Sequence, residues 1–197
     1  IAYSIFNGVL YGTLLFMMSS GLTLIFGMMG VLNFAHASFY MLGAYFAYTF
    51  GLGTGFWLAL FLAPIAVGAM GALVERYGLR RVHQYGHVPE LLFTFGLAYV
   101  IEELVALFWG TVPVPYKAPD ALNTTAFTMF GLDYSWFKVF ILLVAIAMFV
   151  GLWVLIKKTR AGLIIQGALS RPDMVGALGH NVPMVFTLVF AFGCALA

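Results

Sequence analysis

The sequence predicts an all-α protein: a polytopic transmembrane helical bundle of about six spans, the second of them interrupted. Three observations carry this. Hydrophobic residues make up 63% of the 197 residues and charged residues only 8%, against about 25% charged in soluble domains. The first Asp, Glu, Lys or Arg is Glu75. A charge-free run of that length has no place in a soluble fold but suits spans of about 20 apolar residues each. Runs such as residues 139–156 do not alternate, which excludes the roughly 10-residue alternating strands of a membrane β-barrel.

The elements follow in order. Residues 1–29 read as a first span, in which Gly8 and Gly12 are spaced to admit a close neighbour. Residues 28–38 hold a break, and residues 39–50 complete the second crossing. Gly51, Gly53 and Gly55 mark a turn. Residues 56–74 form the third span, with Trp57 as an interface anchor. Residues 75–89 read as a polar loop carrying Arg76, Arg80 and Arg81, and residues 91–109 as the fourth span. A longer loop rich in Pro and Thr, residues 110–134, carries Lys117, Asp120 and Asp133. Residues 135–156 form the fifth span, with Trp136 and Trp153 near its ends. Residues 157–182 make a second basic loop, with Lys157, Lys158, Arg160 and Arg171, and a sixth span begins at Pro183.

Lys and Arg concentrate in cytoplasmic loops. The two basic loops are therefore expected in the cytosol, with residues 110–134 and the Ile1 end outside. The whole of residues 1–197 reads as one transmembrane domain. Ile1 opens in apolar sequence without a basic leader, and residues 183–197 fall short of a full span. The chain is thus expected to be part of a longer one that continues beyond Ala197. A single cysteine, Cys194, excludes disulfides within the chain. The net charge of +2 gives no indication of nucleic acid, and none is expected as a partner.

The chain is organised around residues 21–48, GLTLIFGMMGVLNFAHASFYMLGAYFAY. This stretch is apolar on both sides and interrupted by Gly27, Gly30, Asn33, His36 and Ser38. In lipid, non-helical backbone is tolerated only inside protein or beside a water-filled cavity. Transporters place such interrupted helices around a substrate route. Asn33, His36 and Ser38 are therefore expected to line a substrate path or to fix the unwound backbone that does. The alternative is that Asn33 and His36 only cap two half-helices.

Two further positions are path candidates. Glu102 and Glu103 lie about eleven residues into the fourth span, roughly 17 Å along a helix. Ionisable groups at that depth mark pathways or relays by default. Adjacent positions diverge by about 100°, so one is expected toward the path and the other outward, unless both are solvated at the outer interface. No nucleophile and base are assembled anywhere, so no catalytic residue and no enzyme activity are expected. His83 and His87 stand four apart without an acid on the same face, and neither a metal site nor a cofactor is expected.

In the second basic loop, Ser170-Arg171-Pro172-Asp173 has the S-x-x-D form of a helix start, with Pro in the first turn. Met174, Val175 and Leu178 give an apolar face, and Gly179 supplies a stop. A short amphipathic helix over residues 171–178 is expected, either docking a cytoplasmic partner or resting on lipid.

These stretches resemble a known family. GLTLIFGMMGVLNFAHASFYMLGAY, then ERYGLRR with LLFTFGLAYVIEELVALFWG, then RAGLIIQGALSRPDMVGALGHNVPMVFTLVFAFGCALA are similar, in order and spacing, to the permease subunits of branched-chain amino-acid ABC importers. Ala37, the small residue after the His of NFAH, agrees with that pattern. The resemblance implies a multi-pass protein of the bacterial inner membrane. It implies a periplasmic substrate-binding protein, a second permease subunit and two cytoplasmic ATPase subunits as partners. The loop over residues 160–182 would then hold the helix that receives the ATPase stroke. Substrates would be branched-chain or related amino acids, and members of the family also handle urea, amides and aromatic acids. No G-x-x-x-x-G-K-[ST] phosphate loop is present, so ATP chemistry would belong to partner chains. The residues alone also admit an ion- or proton-coupled transporter or channel, with Glu102 or Glu103 and His36 as its relay.

Overall fold

Long apolar runs without internal charge satisfy their backbone in lipid by coiling, and this chain coils wherever such runs occur. The computed structural model describes residues 2–30, 32–112, 114, 119–129, 132–179 and 181–197. Helix α1 (Ala2–Met29) is followed, after the break, by α2 (His36–Thr54) and α3 (Phe56–Val74). The expected three-glycine turn is tighter than its sequence suggests: α2 runs through Gly51 and Gly53, and Gly55 alone, at φ +84°, makes the corner.

Residues 75–89 are not the polar loop expected. Helix α3 continues through a π turn (Glu75–Leu79) into α4 (Arg80–His83), and α5 (His87–Trp109) starts only a few residues later. Part of the charge that suggested a loop is paired internally, while Arg76 and Arg81 remain exposed on the helical surface. Glu75 and Glu90 are both buried, each against a basic partner described below. Beyond α5 come a short α6 (Asp120–Asn123) and an antiparallel hairpin of β1 (Thr125–Met129) and β2 (Leu132–Ser135) inside the stretch read as a Pro/Thr loop. Lys117 and the side chains of Asp120 and Asp133 lie outside the described residues.

Helix α7 (Trp136–Lys158) opens on Ser135, whose hydroxyl accepts from the Phe137 amide at 3.2 Å and donates to the Leu122 carbonyl at 2.6 Å. Thr159 caps the next helix in the same way: its hydroxyl accepts from Gly162 at 3.1 Å. That helix, α8 (Arg160–Ser170), was not anticipated. It precedes α9 (Pro172–Ala177), and α10 (Val182–Leu196) follows on an Asn181 cap that accepts from Met184 at 3.2 Å.

Among the described residues, four helical stretches are long and apolar enough to cross a membrane: Ser4–Gly27, Phe56–His83, His87–Trp109 and Trp136–Lys158. Helix α2 equals α3 in length at 19 residues, though His36 and its tyrosines dilute it, and α10 is a shorter apolar helix. Four helices thus meet the requirement among the described residues, against about six crossings expected, with α2 and α10 as further apolar helices beside them.

The interior is built by α2 on α3, α3 on α10 and α10 on α1, with α5 against α2 and α7 against α1. Ile25, Phe39, Leu42, Val67, Ile101 and Phe190 meet there. Helices α1 and α10 touch backbone to backbone at Gly21 and Gly193. A Cβ on Gly193 would lie 2.9 Å from the Gly21 carbonyl oxygen, and one on Gly21 would overlap the Gly193 carbonyl. The π turn, α4, α8, α9 and the start of α10 gather at one end of the bundle. Those segments carry the basic residues of both loops. Substituting Gly193→Val should push α1 from α10 and lower the melting temperature in detergent, overpacking of this kind costing about 1–3 kcal/mol. Gly27→Val, where nothing lies within 4 Å of an added Cβ, should leave it nearly unchanged. Equal melting of the two variants would show that the crossing is not tight.

Candidate functional site

The break forms where α1 ends. Gly30 sits at φ +66°, a conformation that costs a side-chain-free residue nothing, and its amide still reaches the Phe26 carbonyl at 2.9 Å. Residues 32–35 are then non-helical until His36 opens α2. Asn33 organises this return. Its Oδ1 accepts from the Ala35 amide at 3.1 Å and its carbonyl accepts from the His36 amide at 3.1 Å. Asn33 therefore does what a helix-capping Asn does, from a position two residues before the cap proper.

His36 ties the break to α1. Its Nε2 lies 2.9 Å from the Met18 carbonyl. A carbonyl only accepts, so Nε2 carries the proton and Nδ1 presents a lone pair. The break is also pinned to α5: the Phe34 amide donates to Thr94 Oγ1 at 3.4 Å, and Ser38 Oγ reaches the Ala98 carbonyl at 3.5 Å. Asn33 and His36 are 4% and 2% exposed. Even so, Asn33 Nδ2 and His36 Nδ1 have no hydrogen-bond partner among the described residues. An unused donor and an unused acceptor thus lie three residues apart in an interior where such groups are normally paired.

Depth follows from counting residues. Met18 is about eleven residues from the end of α1, and Gly193, which packs at Gly21 beside the His36 ring, about eleven from the start of α10. At 1.5 Å per residue each is roughly 17 Å along its helix, about half of a 30 Å hydrocarbon core.

Glu102 and Glu103 are placed differently from expectation. Both are exposed on the outer surface of α5, rather than one turned inward. The buried stripe of α5 runs through Glu90, Thr94, Ile101 and Val105, and the two glutamates lie beside it. His36 is bonded to Met18, not to either of them. The structure therefore does not assemble the three as one relay.

The expected short helix is present but starts later and is capped otherwise. Ser170 is the last residue of α8, with its hydroxyl on the Gln166 carbonyl at 3.1 Å, so it is not the cap. Arg171 takes the cap position without a side-chain bond, Pro172 and Asp173 stand in the first turn, and the helix ends at Ala177. Gly179, at φ +85°, follows as the stop. Of the apolar face only Val175 is buried, beside Gly167 of α8, while Met174 and Leu178 are 57% and 78% exposed.

Sequence reading missed the polar cluster at the same end. Arg80 Nε and Nη2 bond the two Glu75 carboxylate oxygens at 3.3 and 3.0 Å, and Thr187 of α10 donates to the same carboxylate. Glu90, fully buried, takes His83 Nδ1 on one oxygen and His87 Nδ1 on the other. A signal was available: in a chain this poor in charge, each of the two glutamates stands within seven residues of a complementary Arg or His.

The family model described as branched-chain amino acid transport system / permease component matches residues 4–197. The chain is 27% identical over 203 residues to the high-affinity branched-chain amino acid transport system permease protein BraD of Pseudomonas aeruginosa, covering 97% of this chain and 66% of that one. It is 26% identical over 213 residues to the corresponding permease protein LivH of Escherichia coli K12, covering 98% and 66%. A probable branched-chain amino acid transport permease protein LivH of Methanocaldococcus jannaschii is 25% identical, with 97% and 62% covered. The chain thus spans just under two thirds of the length of these relatives. No solved structure matches it.

His36→Leu keeps the volume and removes the tether to Met18. It should cost about 1 kcal/mol, the net worth of one hydrogen bond, and speed amide exchange across residues 32–39 in hydrogen–deuterium mass spectrometry, leaving α7 unaltered. Unchanged exchange in that window would show that the tether does not hold the break.

Proposed function

The chain belongs to the branched-chain amino acid transport system permease family, and from that premise we propose that it is the membrane permease of an ABC importer. It forms the translocation path for branched-chain or related amino acids, and ATP hydrolysis on separate chains drives it. The observation that carries this reading is the break itself: a charge-free, non-helical return tied to α1 through His36 and to α5 through Phe34 and Ser38, with Asn33 and His36 buried. Non-helical backbone at that depth is tolerated inside protein or beside a water-filled cavity, and transporters use it around a solute route. Asn33, His36 and Ser38 are its polar groups, and the apolar residues around them suit a substrate whose bulk is hydrocarbon.

The end bearing α8 and α9 faces the cytosol, because it carries the Lys and Arg of both basic segments. There Arg171, Pro172, Asp173, Met174, Val175, Leu178 and Gly179 make up the docking helix and its stop. Val175 anchors it to α8, and the exposed Met174 and Leu178 meet the ATPase subunits. Partners are then two such ATPases, a second permease subunit and a periplasmic binding protein, with the chain multi-pass in the bacterial inner membrane. Glu102 and Glu103, exposed at membrane depth on α5, face water or a donor group of the second permease subunit, since lipid does not accommodate two bare carboxylates cheaply.

Affinity capture of the full-length chain from solubilised membranes tests the reading. An ATPase pair should come down with the intact chain and be lost when residues 170–179 are replaced by a Gly/Ser linker. Capture of no ATPase by either form would favour ion coupling, for which uptake should then show a steep pH dependence that Glu102→Gln or Glu103→Gln abolishes.

A further inference from the structure

Two buried glutamates at the α9 end of the bundle take no part in the path. Glu75 is 1% exposed and Glu90 is fully buried. Glu75 and Arg80 are five residues apart. In an α-helix that spacing turns the two side chains about 140° away from each other. Here the segment between them is a π turn, Glu75–Leu79, whose wider winding brings positions i and i+5 to the same side. The ion pair and the π turn therefore require each other. Rewinding the turn as α-helix would swing Arg80 off Glu75 and shift the register of everything beyond it, His83 included.

Both sides of this element are loaded. On one side Arg80 Nη2 shares its two hydrogens among the Glu75 carboxylate, the Pro183 carbonyl at 2.7 Å and Thr187 Oγ1, while Thr187 donates to Glu75. Those contacts grip the first turns of α10, which follows α9 after only a few residues and packs against it. On the other side Gly78 packs under the Phe93 ring, and His83 of α4 bonds Glu90 of α5. One turn above Glu90, Thr94 holds the Phe34 amide of the break; one turn further, Ala98 holds Ser38. Helix α10 also packs on α2 one turn beyond the break, with Phe190 edge-on to Phe39 at 6.3 Å between centroids.

We propose that the Glu75–Arg80–Thr187 cluster, mounted on the π turn, is the coupling latch that converts displacement of α9 into opening of the Asn33–His36 break. Movement of α9 drags the start of α10 and pulls Pro183 and Thr187 from Arg80. The ion pair loses two of its supports, the π turn rewinds, and α4 shifts α5 through His83 and Glu90. Thr94 and Ala98 then release Phe34 and Ser38. Glu75, Arg80 and Thr187 are positioning residues in this scheme, since none of them touches the solute. The proposal rests on the importer reading.

The test uses the complete importer, with its ATPases and binding protein, in proteoliposomes. Uptake of labelled leucine and ATP hydrolysis are measured on the same preparation and normalised to assembled complex. Thr187→Val keeps the shape and removes the hydroxyl. It should lower leucine taken up per ATP by roughly five- to tenfold, the size of an ordinary coupling between sites, with hydrolysis retained. Thr187→Ser should restore the ratio, and Arg80→Gln should lower it further. A residue that only stabilises the fold would reduce the yield of complex and leave the ratio alone. A Thr187→Val importer with an unaltered ratio overturns the latch, whatever Arg80→Gln does to assembly. Absence of ATP-driven uptake by the unsubstituted complex is a different failure: it overturns the importer reading, and the latch with it.

Discussion

Backbone amides and carbonyls cannot be left bare in hydrocarbon, and the rest of this structure is arranged around the one place where the chain leaves the helix at depth. Between Gly30 and His36 the backbone needs partners that no helix supplies. It obtains them from Asn33 and from Thr94 on α5, while the His36 ring separately ties the break to the Met18 carbonyl of α1. Those partners dictate which helices must be near. Helix α5 lies against α2, and α10 approaches α1 closely enough that only glycine fits at positions 21 and 193.

Charge is handled by the opposite device. The described Lys and Arg residues avoid the middle of the bundle, and its two buried carboxylates, Glu75 and Glu90, are hydrogen-bonded by Arg80 and by His83 at the end where α8 and α9 lie. A buried carboxylate without its partner is costly, so Arg80 and His83 cannot leave without a change elsewhere. The end of α3 is therefore held in the one arrangement in which Glu75 meets Arg80 and Glu90 meets His83.

Much of this was legible before any coordinates. Hydropathy marked the spans because the backbone constraint in lipid leaves helices as the only economical solution. Gly30, Asn33 and His36 announced the break because they are polar or permissive residues in a stretch without charge. The start of α7 was legible to within a residue, because the apolar run begins where Ser135 caps it, whereas the Thr159 cap that opens α8 was not read. Legibility failed where tertiary partners decide the outcome. Residues 75–89 look like a solvated loop because their charges are visible in sequence and the pairing of Glu75 with Arg80 across a π turn is not. Ser170 looks like a cap, but α8 packs and continues through it. The facing of Glu102 and Glu103 depends on which side of α5 meets α2, and composition does not carry that.

The central claim is that the break is a gated path and not a buried structural knot. Labelling of single cysteines placed at Ser38 and Phe34, in a chain whose own Cys194 is replaced by alanine, tests it most directly. A water-soluble, membrane-impermeant thiol reagent is applied to the assembled complex that the proposed function requires, at rest and after trapping the proposed partner ATPases in the nucleotide-bound state. The account predicts little labelling in one state and strong labelling in the other at position 38, with a control cysteine on the outer face of α7 unresponsive in both. Equal protection of position 38 in the two states would contradict it and leave the break a structural feature only.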